Sequence, residues 1–411
     1  MKLSQRAAQA AGQPIGYLMD KALAHPELIS LAAGFVDQPS LPASATRSAA
    51  LALFDEQPEA LAALQYGTLQ GDATLRAQVL ARVSEQDVAA GGERRDVPLE
   101  RVLLTAGSNQ LLYLLCEALL DAGDIVVCDA PTYFVFTGIV QQMGARTVGV
   151  ETDAGGMRID ALEATLASLP RERVKAIYAM SYFDNPRSVS LSRERRAALV
   201  RLARERGLYV IEDAAYRELR YAGEDLPSLF SEPDADGCVV YTSTFSKSFS
   251  PGVRVGFGML PQALCAPLAA LKGNLDFGSP HLNQRLVSQA LRLGLFDPHV
   301  AMLRARYAKK RDAMLAALDR ELSDVAEYVR PDGGLYVWVR LRDAIDTGPE
   351  GPLFERALQE GVLYVPGTYF FPERATGSER CMRLSFGVQS EERIAAGIQK
   401  LARCVKKAAA G

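Results

Sequence analysis

At 411 residues the chain exceeds one compact core, so two domains, or one large and one small, are expected. Apolar residues at 48%, charged residues at 23% and a net charge of −3 suit a globular protein and give no support for nucleic-acid or anionic-membrane binding. No stretch reaches the roughly 18 apolar residues that cross a bilayer, and the polar start Met1-Lys2-Leu3-Ser4-Gln5-Arg6 lacks a secretory apolar core. Cys116, Cys128, Cys238, Cys265, Cys381 and Cys404 show no paired spacing, and His25, His281 and His299 match no local ligand pattern. The thiols therefore read as reduced and cytoplasmic, with no disulfide frame and no metal site.

Residues 14–27 read as a short helix, followed by extended Ile29-Ser30-Leu31-Ala32-Ala33-Gly34 and a loop marked by Pro39 and Pro42. Helical sequence over 45–64 gives way to Gln65-Tyr66-Gly67-Thr68-Leu69-Gln70-Gly71, and a second helix starts near Thr74. From residue 101 apolar strands alternate with amphipathic helices, the pattern of an α/β protein with a mostly parallel central sheet flanked by helices. Strand 101–105 runs into Ala106-Gly107-Ser108-Asn109, where a helix opens. Free N–H groups at such a helix start favour an anion, although many such turns hold no ligand. The turn matches neither G-x-G-x-x-G nor G-x-x-x-x-G-K-[ST], which disfavours dinucleotides and nucleoside triphosphates.

Strand 124–128 leads to Pro131-Thr132-Tyr133, whose aromatic ring can stack on a flat heterocycle or cap the core. Further strands are expected at about 146–151, at 175–180 before Asp184-Asn185-Pro186, and at 209–213. The last ends in Glu212-Asp213, with Tyr216 three residues on; a buried carboxylate there needs a partner, a solvated one does not. Beyond 283 a long helical region to about 323 precedes short strands at 335–339, 363–365 and 382–386, an α+β pattern of its own. Arg383, between apolar neighbours in a strand, calls for an anion, either a structural carboxylate or a substrate. The tail from Lys406 to Gly411 reads as disordered.

The densest chemical signal is Thr244-Phe245-Ser246-Lys247-Ser248-Phe249-Ser250-Pro251-Gly252-Val253-Arg254, after the apolar run Val239-Val240-Tyr241. A lysine at the mouth of a sheet loses part of its preference for charge and becomes a Schiff-base former. The hydroxyls of Thr244 and Ser246, with Arg254, suit a phosphate. Together they suggest a phosphorylated carbonyl cofactor, pyridoxal 5′-phosphate (PLP); a lysine solvated after a strand fits the same local pattern, and the rest of the chain decides between the two.

Together these residues, from about Leu31 to Phe386, resemble the fold-type I PLP-dependent enzymes, the class I/II aminotransferases, and among them the 2-aminoadipate and kynurenine aminotransferase branch. The resemblance implies a large PLP-binding domain over 45–285 and a small domain built from 1–44 and 286–411. It implies Lys247 as Schiff-base lysine, Asp213 beside the pyridinium nitrogen, and Asn185 and Tyr216 on the 3′ oxygen. Tyr133 would stack on the ring, with Ser108, Asn109, Thr244, Ser246 and Arg254 on the phosphate. Tyr66 would reach the phosphate of a neighbouring subunit, so a homodimer with shared sites is expected. Arg383, helped by Asn185 and the Gly34 backbone, would grip the substrate carboxylate.

The implied reaction is ping-pong transfer of an amino group from an L-amino acid to a 2-oxo acid; other PLP chemistry on the same scaffold is the alternative. Two departures stand out. Arg187-Ser188 follow Asn185-Pro186 where the family has small residues and a glycine, which adds bulk and charge at the pocket edge. Tyr17 stands where aminoadipate-type members have an arginine, which favours apolar, aromatic or broad substrate specificity. A ligand-sensing regulator on this scaffold would need a preceding winged-helix domain, for which the first thirty residues leave no room.

Overall fold

The computed structural model describes residues 2–10, 16, 27–373 and 375–409. Most of the helix expected over 14–27, and with it Tyr17, lies outside the described residues. The centre is an eight-stranded sheet. Its strands are β2 (Val102–Thr105), β3 (Ile125–Ala130), β4 (Arg146–Asp153), β5 (Gly156–Met157), β6 (Val174–Ala179), β7 (Tyr209–Asp213), β8 (Val239–Thr244) and β9 (Gly256–Met259). They lie side by side in the order β2-β9-β8-β7-β6-β3-β4-β5. From β8 through β7, β6 and β3 to β4 the pairing is parallel. The strand β9 runs antiparallel to both β2 and β8.

Parallel strands need crossover helices, and helices on both faces leave no wet side, so β7 and β8 start with apolar residues and stay buried through their polar ends. Those last residues carry the polar chemistry. In an open α/β sheet the crevice at the carboxyl ends of the strands is where ligands bind.

A second, antiparallel sheet joins β10 (Ala326–Tyr328), β11 (Tyr336–Leu341), β13 (Val365–Pro366) and β14 (Cys381–Ser385), in the order β10-β11-β14-β13. A two-stranded parallel pair connects β1 (Ile29–Ser30) to β12 (Val362–Leu363), so the N-terminal segment is stitched to the C-terminal part of the chain.

Four sequence expectations need adjustment. The helical stretch 45–64 is two helices, Ala43–Phe54 and Gln57–Leu64, parted just before Pro58. The long region 283–323 is also two, His281–Arg292 and Phe296–Glu321, divided where Gly294 takes a φ of +67°. The strand expected at 363–365 splits between two sheets, with buried Tyr364 turning the corner and donating its hydroxyl to Thr347 O. Finally, the tail is not disordered as far as Ala409. It closes the helix Glu391–Ala409, which buries Ile394, Ile398, Leu401 and Val405, an apolar stripe at helical spacing.

Candidate active site

Two glycines bring the phosphate-type groups together. Gly256 pairs with Thr105 on one side and Thr244 on the other, and a Cβ there would sit 2.4 Å from Ser108 N. Gly107, at φ +84°, precedes the helix Ser108–Leu119, and a Cβ on it would meet the Arg254 guanidinium at 2.4 Å. The backbone can approach this closely only without side chains. The result is a cradle. Helix-opening N–H groups of Ser108 and Asn109 have no partner within the helix, and the Thr244 and Ser246 hydroxyls lie 2.9 Å apart. Arg254, itself in the left-handed region, donates to Ser246 Oγ at 3.3 Å and to Ala106 O at 3.0 Å.

The cradle is one end of a cavity of about 350 Å³ lined by aromatic rings and a few polar groups. Alternation along β7 decides the fate of its two acids, because successive side chains face opposite ways. Glu212 points away from the cavity and accepts from Ser181 Oγ at 2.6 Å and from the N–H groups of Leu229 and Phe230, with Arg196 3.7 Å away. Asp213 points into the cavity. It accepts from the Tyr178 hydroxyl at 2.9 Å and from Ala215 N at 3.1 Å. Burial pushes its carboxyl up to about 6, against the pull of those bonds and of Lys247.

Lys247 lies in a one-turn helix, Phe245–Ser248, and its Nζ donates to Gly34 O at 2.8 Å. Burial lowers its pKa, and the nearby Arg383 and Arg254 charges lower it further. A larger share of free amine near neutrality is what a nucleophile and proton acceptor needs.

Arg383 is buried, and its guanidinium donates to Asn185 Oδ1 at 2.8 Å and to Ala32 O at 2.6 Å. Its plane lies 4.1 Å from the centroid of the Tyr336 ring. No carboxylate among the described residues pairs with it, and its Nε has no hydrogen-bond partner there. Among the described residues, the structural carboxylate that its sequence position allowed is not there. A buried guanidinium without a countercharge is costly, and a carboxylate entering the cavity removes that cost.

Gly34, Ser108, Asn109, Tyr133, Asn185, Asp213, Tyr216, Thr244, Ser246, Lys247, Arg254 and Arg383 all line this cavity. Tyr66 does not; it is 77% exposed and packs edge-on against Phe277, itself 67% exposed. Arg383 meets the Ala32 carbonyl, while Gly34 lines the cavity and its carbonyl accepts from Lys247. Arg187 does not add its bulk and charge to the edge of this cavity, as its position after Asn185-Pro186 suggested. Its side chain turns away, donates to Asp184 at 2.9 Å and to Asp153 O at 3.1 Å, and sits beside buried Asp129. Sequence reasoning missed Tyr336, Phe35, Met180 and Tyr178. The first three line the cavity and Tyr178 holds Asp213, yet each reads as an ordinary apolar strand or loop residue. The alternation that aims Tyr336 toward the cavity is visible only once the partner strand β14 is known.

The donor set fits a flat, phosphorylated group with an aldehyde: an anion cradle at one end, a carboxylate for a ring nitrogen, an aromatic wall and a lysine between them. That places the chain in the class of PLP enzymes acting on amino acids. The sequence model of the aminotransferase class I and II family matches residues 26–401. A 2-aminoadipate transaminase from Thermus thermophilus is 37% identical over 383 residues, covering 93% of this chain and 91% of its own. An aromatic-amino-acid aminotransferase from Thermococcus litoralis is 33% identical over 385 residues, covering 93% and 88%. The solved structure of LysN, an α-aminoadipate aminotransferase from Thermus thermophilus complexed with N-(5′-phosphopyridoxyl)-L-leucine, matches with a TM-score of 0.85 at 33% identity, covering 99% of this chain and 98% of that one.

The chain belongs to the class I and II aminotransferases. It is a PLP-dependent transaminase that moves an amino group from an L-amino acid to a 2-oxo acid in a ping-pong sequence, and other PLP chemistry is not favoured.

Proposed function

We propose that the amino donors are L-amino acids with aromatic or large apolar side chains, and that Arg383 binds their α-carboxylate. The observation that supports this most is the unpaired, buried Arg383 Nε beside the aromatic wall. The cationic side chains lining the cavity, among the described residues, are Lys247, Arg254 and Arg383. With the first two facing the cofactor, no further cation among the described residues is left for a second substrate carboxylate, whereas Phe35, Phe134, Tyr133 and Tyr336 offer apolar surface.

Bound PLP supplies an electron sink that stabilises negative charge developing at the substrate Cα. Each residue then has a defined task. Ser108, Asn109, Thr244, Ser246 and Arg254 would hold the phosphate, and Tyr133 would pack against the ring. Asp213, oriented by Tyr178, would face the ring nitrogen and favour its protonated form, while Asn185 and Tyr216 would hold the 3′ oxygen. Arg383, set by Asn185 and Ala32, would fix the substrate carboxylate and so orient Cα–H for proton transfer. Lys247 would anchor the cofactor and, once released, take the proton from Cα as general base.

A panel of donors against 2-oxoglutarate and pyruvate tests the specificity. Phenylalanine, tyrosine and leucine are expected to exceed aspartate and 2-aminoadipate in kcat/KM; the opposite order would overturn the reading.

Three broader readings accompany it. The exposed Tyr66–Phe277 pair supports a homodimer in which Tyr66 reaches the partner's phosphate, and a fully active monomer in light scattering would contradict this. Residues 45–285 act as the large cofactor domain and 1–44 with 286–411 as the small one, a division that hydrogen exchange checks by showing separate opening. Six free cysteines suit a cytoplasmic protein, and recovery mainly outside that fraction would contradict it.

A further inference from the structure

Tyr336 opens β11, is fully buried, and brings its hydroxyl to 2.9 Å from that of Tyr216. The two rings meet edge to face, with centroids 5.8 Å apart and planes at 77°. Either oxygen can serve as donor in such a pair, so the surroundings must set the direction. The Tyr336 oxygen is confined on one side by Gly34, where a Cβ would lie only 2.9 Å from it. Its ring face is covered by the Arg383 guanidinium from β14. The other ionisable groups that face it are Lys247 from the one-turn helix, Tyr133 from the loop after β3, and Tyr307 from the helix Phe296–Glu321.

A phenol carries one proton and two acceptor lone pairs. With the Tyr216 proton committed to the 3′ oxygen, as read above, the 2.9 Å contact leaves Tyr336 as the donor to the Tyr216 oxygen. Against the effect of burial, the Arg383 and Lys247 charges lower the Tyr336 pKa, which favours the same direction.

We propose that Tyr336 is a positioning residue for transamination: its hydroxyl donates to Tyr216, which aims the Tyr216 proton at the cofactor's 3′ oxygen and strengthens that second bond. The inference rests on the reading above that Tyr216 serves the 3′ oxygen. Its physical basis is the polarisation of one hydrogen bond by the next in a buried chain, of order 10–30% per bond. Donation to the 3′ oxygen favours the deprotonated, more negative form of the bound cofactor. Weakening that donation must raise the pH at which the cofactor's visible absorbance titrates.

The test uses purified holoenzyme and three variants, Tyr216→Phe, Tyr336→Phe and the double substitution. Phenylalanine keeps the ring contacts with Arg383 and Tyr216, so the fold has no cavity to absorb. The readout is the midpoint of the absorbance titration. Tyr216→Phe is expected to raise it most, and Tyr336→Phe to raise it by a few tenths of a pH unit. The double variant should move no further than Tyr216→Phe alone. An unchanged or lowered midpoint in Tyr336→Phe would overturn the proposal, the lowered case because Tyr216 would then have been donating to Tyr336. So would an undiminished Tyr336→Phe shift on the Tyr216→Phe background, which would mean Tyr336 acts without Tyr216. A midpoint unmoved by Tyr216→Phe itself would remove the underlying reading of Tyr216, and the proposal with it.

Discussion

Arg383 and Arg187 are both buried arginines next to the Asn185-Pro186 turn, and their partners separate their roles. Arg187 has a carboxylate, Asp184, at 2.9 Å, and is spent inside the protein. Arg383 has neutral acceptors only among the described residues, which leaves its charge for a ligand. The sequence showed that Arg383 lay on an apolar strand and needed an anion, but the nature of the anion depends on Asn185 and Ala32, hundreds of positions away. Arg383→Lys keeps the charge and loses the planar fork. One charge-assisted bond lost is about 2 kcal/mol, or roughly 30-fold in kcat/KM. The loss should appear as a raised KM for the amino acid with the cofactor's absorbance unchanged. An unaltered KM would remove Arg383 from the carboxylate.

At the level of elements, the loop after Gly34 is held against the helix Phe296–Glu321 by a buried ionic cluster that no local pattern announces. Asp37 is 1% exposed and accepts from Lys310 Nζ and Arg306 Nε, each at 2.5 Å, and from the Ser40 hydroxyl. The Tyr307 hydroxyl accepts from Asp37 N. Since Gly34 O receives Lys247, this anchor fixes one wall of the active site. Burial alone would raise the Asp37 pKa, but the bonds from Lys310, Ser40 and Arg306 hold it below the ordinary 3.8. A depressed folded-state pKa contributes stability that is full above about pH 4 and disappears as pH falls through the lowered value.

Lys310→Met leaves the carboxylate short of its main partner, at a cost of about 3 kcal/mol near neutrality. Denaturant titration should show that cost, and the gap to the unaltered protein should narrow as pH falls from about 4 through the lowered Asp37 pKa. A pH-independent gap would mean that lost packing, not the ion pair, is responsible. The pair lies 273 residues apart in sequence, so periodicity could place each residue on its element and nothing more.

Over the whole molecule, legibility follows locality. Thr244 to Arg254 is one short continuous segment whose hydroxyls, lysine and arginine line the same cavity, so the spacing itself announced the cluster. Asp213 ends β7 and Asn185 lies in the turn that follows β6, where apolar runs stop and polar residues begin. Tyr336 and Tyr178 were hidden because each is one aromatic in an apolar strand, and only cross-strand pairing gives their hydroxyls a direction. The helical C-terminus was missed for a related reason: its apolar stripe packs on the helices Phe296–Glu321 and Pro352–Gln359 and on the β1–β12 pair, partners that only the tertiary fold supplies.

All of these elements converge on a single claim, that Lys247 shuttles a proton within a site built for amino-group exchange. Its most direct test is the isolated half-reaction. Holoenzyme mixed with L-phenylalanine and no 2-oxo acid should lose its visible cofactor absorbance and release about one equivalent of phenylpyruvate per subunit, and added 2-oxoglutarate should restore the absorbance. If instead carbon dioxide or ammonia is released, or if 2-oxo acid accumulates catalytically without an acceptor, the transamination account is contradicted.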